Sequence, residues 1–167
     1  MESPFEHMLL NSHKPQMLSY ISEHPDSFEE AIRLAISNHQ PYSWRASWLL
    51  WSCMKKNDKR VQQYVPDIIR TLAICRKNQK RELLKILYEM EISEDLEGTL
   101  FDLCIDIWIQ TDSQPSVRFN AFRMLSMIAK RHPELTEELR ALSEDHYLQS
   151  LSAGVKRSLK KMFNNDQ

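Results

Sequence analysis

Glycine is nearly absent from this chain: only Gly98 and Gly154 occur in 167 residues, against an average usage of about 7%. Tight hairpins need glycine for positive φ, and phosphate-cradling loops need it for close backbone approach. Its scarcity points to helices joined by short turns. No Gly-x-Gly occurs, so neither a dinucleotide fingerprint nor a P-loop is present. Cysteine is scarce too. Cys53, Cys75 and Cys104 are an odd number at wide spacings within apolar stretches. They make no disulfide framework and no Cys-x-x-Cys metal pair, and read as reduced core residues of a cytoplasmic protein. The histidines are scattered and no His-Glu-x-x-His occurs, so no metal and no cofactor is expected. No apolar run approaches the roughly 20 residues of a membrane span. The N-terminus lacks a basic segment followed by a long apolar one, so neither a signal peptide nor a membrane partner is expected.

A large charge of one sign is also missing. The net charge is −1 and the pI about 6.6, which gives no general attraction to nucleic acid. The charge is spread unevenly. Residues 1–40 carry two basic and six acidic side chains, residues 41–114 eleven of each, and residues 115–167 nine basic and six acidic. What remains is ordinary globular composition, 42% hydrophobic and 27% charged, enough for one domain with a sizeable core.

Helix punctuation is frequent. Ser3-Pro4 and Lys14-Pro15 open two short helices, with proline where its missing N–H is harmless. Ser27-Phe28-Glu29-Glu30 reads as a capping box. Pro41 to Asn57 is a strong helix with Trp44, Trp48 and Trp51 on one face. Asp58 caps a helix to Ile74 that Pro66 should kink or restart. Helices are then expected over 79–91, 93–110, 114–132, 134–147 and 152–163, with a fraying tail at 164–167. The whole of 1–163 reads as a single domain.

The helices recur in pairs. Arg45, Arg81, Arg118 and Lys156 each fall near the start of a second helix, at spacings of 36, 37 and 38 residues. Such periods mean stacked hairpins that cannot bury their apolar faces alone. The third unit runs Asp112-Ser113-Gln114-Pro115-Ser116-Val117-Arg118, then Ala121 and Leu125. It resembles the HEAT-repeat pattern of a turn aspartate, Val-Arg opening the second helix, and inward alanine and leucine. The other units carry His39, Cys75 and Ser150 in place of the aspartate. The chain also resembles a small family of bacterial HEAT-like proteins, through Lys80 to Leu87, Ile92 to Cys104, His132 to Leu139 and Ser152 to Arg157. That likeness implies a fold and no site residues. The expected architecture is all-α: an α-solenoid of about four HEAT-like hairpins behind short N-terminal capping helices.

Three features compete as sites. The turns inside the hairpins should collect a basic edge of Arg45, Arg76, Lys77, Lys80, Arg81, Arg118, Lys156 and Arg157. Cations at helix N-termini oppose the macrodipole, so they need a reason. One reason is an anion or acidic partner. The other is a ladder of arginines bonded to carboxylates or carbonyls of neighbouring hairpins, Asp112 with Arg118 for example. The tryptophans should be core, with Trp44 as the exposed aromatic candidate. Asp102 and Asp106, one turn apart, should be solvated carboxylates. Trp108 and Asp112 faintly resemble the aspartate-and-tryptophan arrangement of HEAT-like alkylpurine DNA glycosylases, beside an acidic stripe that would repel phosphates. No serine or cysteine nucleophile has a recognisable setting. The expected function is a non-catalytic scaffold for a protein partner, with nucleic-acid binding or base repair as the alternative.

Overall fold

The computed structural model describes residues 1–164, with side chains to Met162. Most of the tail expected over 164–167 lies outside the described residues. Asn164 itself ends the last helix. Every regular element among the described residues is helical. They form two compact units, Met1–Ile92 and Ser93–Gln167.

The first unit opens with α1 (Pro4–Asn11) and α2 (Lys14–Glu23), which pack on α4. A hairpin follows, of α3 (Ser27–Ala35) and α4 (Tyr42–Cys53). After the single turn α5 (Lys59–Gln62) comes the hairpin α6 (Val65–Ile74) and α7 (Lys77–Tyr88), and α7 lies against α4. Pro66 stands at the start of α6, so the chain restarts there as its missing N–H requires. Asp58 caps α5: its carboxylate accepts from the Lys55 and Arg60 backbone N–H groups and pairs with the Arg60 side chain at 2.7 Å.

The capping box is not where it was expected. Ser3 and Glu6 form it, at the start of α1. Ser27 lies inside α3, because a preceding turn already engages the local backbone: Ser27 N–H bonds to the His24 carbonyl and Phe28 N–H to that of Pro25. Glu30 accepts instead from the Ser3 hydroxyl at 2.6 Å.

The second unit holds the longest hairpin, α8 (Glu94–Trp108) with α9 (Pro115–Arg131). Residues 134–147 are not one helix. They split into a 3₁₀ turn (Pro133–Leu135), α10 (Thr136–Ala141) and α11 (Asp145–Leu148). Leu139 and Leu142 are the apolar side chains buried there, too few to hold a long helix to a core. The final helix, α12 (Ala153–Asn164), contacts α9. Unit by unit the charge runs opposite to the sequence gradient. Met1–Ile92 has 13 basic and 11 acidic residues, and Ser93–Gln167 has 9 and 12.

Candidate binding faces of the two units

The core side of α4 combines three small residues with two leucines. Ser43, Ala46, Ser47, Leu49 and Leu50 are buried. Ser47 returns its hydroxyl to the Ser43 carbonyl at 2.7 Å, so a serine can sit inside without an unsatisfied donor. The small side chains let α3 and α4 approach closely, and the largest ones lie off the buried side. These are Trp44, Trp48 and Trp51. The first two are half-buried and Trp51 is 37% exposed. This corrects the expectation that the stripe is core, and also that Trp44 is its exposed member. The Trp44 indole Nε1 is itself buried, with no hydrogen-bond acceptor among the described residues.

Cations lie over two of the tryptophans. The Lys85 ammonium lies 3.6 Å from the Trp51 ring centroid, and that of Lys14 lies 5.5 Å from the Trp48 ring. Such contacts contribute about 0.5–1 kcal/mol each at exposed sites. Trp44, Trp48 and Trp51 are matched on α7, 37 residues later, by Arg81, Lys85 and Tyr88, all half-buried. Beneath them lies Glu82, buried, its two oxygens taken by Arg81 at 2.9 Å and Lys85 at 2.7 Å. The result is one aromatic and cationic face built from α2, α4 and α7.

The arginines of the basic edge have separate fates. Arg45 leaves the start of α4 and gives its Nε–H to the Leu9 carbonyl and Nη2 to that of Ser12, 3.3 Å away. Arg118 leaves the start of α9 fully buried. Its guanidinium donates to the Trp108 carbonyl at 2.8 Å, the Tyr147 carbonyl at 2.6 Å and the Ser150 hydroxyl at 3.0 Å, and it stacks 4.4 Å from the Trp108 ring. Burial pushes its pKa below the usual arginine value. Each arginine begins near one helix N-terminus but carries its charge to the last carbonyls of another helix, where the macrodipole favours it. The carbonyl half of the ladder reading describes these two. Asp112 is exposed and is not Arg118's partner, a correction to the pairing expected from sequence. Arg118 is likewise not exposed at an edge. Arg81 pairs with Glu82, while Arg76, Lys77 and Arg157 are exposed and Lys156 is half-buried.

In the second unit, Trp108 is also fully buried. Its Nε1–H bonds to the Leu142 carbonyl at 2.7 Å and its ring packs on Phe122. It cannot stack on a nucleobase. Asp102 and Asp106 are exposed, as expected. The sequence reading missed a cleft of about 410 Å³ with an apolar floor of Phe101, Ile128 and Leu135. Carboxylates of Glu94, Asp102, Glu134 and Glu138 rim it. Buried Glu97 holds both Arg131 and His132, and Glu97 raises the His132 pKa above the usual histidine value. The acidic residues at 94–97 gave a visible signal, as helix N-terminal anions. The closure by Pro133–Leu135 did not.

The thiols are unreactive in character. Burial raises Cys53 and Cys75 to about 11 and Cys104 still further. All three are free. No group of metal-ligating side chains occurs among the described residues, and no helix there is long and apolar enough to cross a membrane.

Paired helices that pack hairpin on hairpin define a helical-repeat protein. The chain belongs to the HEAT repeat domain family, whose model matches residues 5–165. Comparison with curated proteins and with solved structures gives no match.

Proposed function

We propose that this chain is a non-catalytic scaffold that binds a partner protein through the tryptophan face of its first unit. One observation carries the reading: none of Trp44, Trp48 and Trp51 is among the buried residues of α4, and Trp51 is 37% exposed. Tryptophan is among the residues most enriched at binding hot spots, and a stripe of it outside the core needs an occupant. HEAT hairpins offer such faces on rigid elements, and free, raised-pKa thiols fit a reducing, cytoplasmic setting. The base-repair alternative has less support, since Trp108 is enclosed and the nearby rim is acidic.

The test is capture with the wild type and with a Trp48→Ala/Trp51→Ala variant, its helicity checked by circular dichroism. A specific protein retained by the first and lost by the folded second supports the reading. Equal retention by both removes the face from it.

A further inference from the structure

The charge around the tryptophans says what kind of segment would sit there. Lys14 lies over Trp48 and Lys85 over Trp51, and Arg81 shares the Glu82 carboxylate with Lys85. Glu82 is buried below Arg81 and Lys85, so the charge turned outward is positive. Exposed Arg76 and Lys77 extend it at the start of α7. We infer that this face takes an acidic segment of a partner protein that also carries bulky apolar side chains. The inference rests on the scaffold reading and names its partner's chemistry.

The two lysines act as covers. Each lies over an indole, Lys85 on Trp51 and Lys14 on Trp48. A carboxylate offers a lysine a stronger, charge-assisted hydrogen bond than a ring face does. Drawing the ammonium aside uncovers the indole for an apolar side chain of the same segment. Lys14 is the freer of the two, exposed at the first position of α2. Lys85 is anchored by Glu82 and 19% exposed, so it stays in place beside Trp51, and Lys14 is the cover that moves. A nucleic-acid strand is the poorer fit. Strand binding uses a long groove of cations beside the stacking rings, and the first unit as a whole has only two more basic than acidic residues.

The experiment is fluorescence anisotropy of the full chain with three labelled probes. They are a peptide of glutamate, leucine and phenylalanine, the same peptide with glutamine for glutamate, and an oligothymidylate. The glutamate peptide should bind best, and its affinity should fall about tenfold in Lys14→Glu and in Trp51→Ala. Lys14→Glu touches no core residue and places an acid where the α2 dipole favours one, so the fold persists. Equal affinity for the glutamine peptide overturns the inference and leaves the scaffold reading standing. Tighter binding of the oligothymidylate overturns both. Glutamate-peptide binding that neither substitution weakens puts the contact elsewhere on the chain and overturns the inference. Binding by none of the probes also overturns it, and the scaffold reading then stands or falls on the capture experiment.

Discussion

The helices α4 and α9 are each the second of a hairpin, and they treat their outward faces differently. Helix α9 buries ten of its seventeen residues, including Arg118, Asn120 and Ser126. Helix α4 buries five of twelve, its three tryptophans are not among them, and lysines lie over two of these, Trp48 and Trp51. Arg45 and Arg118 repeat the contrast. Both bond to helix-end carbonyls, but Arg45 is half-buried and Arg118 fully so. One hairpin encloses its large polar residue; the other leaves its large aromatic residues partly exposed. On the function proposed above, stability and recognition fall to different units, and substitutions should divide the same way.

The largest effect is expected at Arg118. Arg118→Ala leaves the Trp108 and Tyr147 carbonyls without their donor and opens a gap beside Trp108. It should destabilise the chain by about 3 kcal/mol or more in urea unfolding. Arg45→Ala, at a half-buried site, should cost about 1 kcal/mol. Equal losses would erase the contrast. The Trp48→Ala/Trp51→Ala pair should do the reverse of Arg118→Ala: about tenfold or greater loss of partner affinity with the fold intact.

The units should also answer pH in opposite senses. In the first, the Arg60 side chain and two backbone N–H groups lower Asp58 from 3.8 to about 2. That contribution is present above the unfolded carboxyl value and is lost as pH falls from about 3.8 toward about 2. In the second, Glu97 raises His132. That contribution is full below the ordinary value of 6.5 and is lost as pH rises through the folded pKa. Thermal melts of wild type against Asp58→Asn should converge in acid, and against His132→Gln they should converge on the alkaline side. The smallest effect is Trp44→Phe. It removes a buried N–H that has no acceptor among the described residues, so stability should hold or rise slightly; a clear loss in denaturation would mean the indole is bonded.

Much of the architecture was readable from the residues. Proline opened α1, α2, α6 and α9, and Asp58 capped α5. The aromatic face was misread because hydropathy counts tryptophan as apolar, while the buried side of α4 is carried partly by Ser43 and Ser47, whose hydroxyls bond to backbone within the hairpin. Nor does a Val-Arg pair reveal that Arg118 is enclosed, since its acceptors at Trp108, Tyr147 and Ser150 come together only on folding. The acidic cleft was hidden for the same reason: Glu97 and His132 are 35 residues apart in the chain.

The most direct test uses the indole N–H signals of the four tryptophans in a ¹H–¹⁵N NMR spectrum. Trp108, enclosed and bonded to Leu142, serves as the internal reference. On addition of the glutamate-containing peptide, the Trp48 and Trp51 signals should move and that of Trp108 should stay. Binding that shifts Trp108 and leaves Trp48 and Trp51 in place would contradict the assignment of recognition to the first unit.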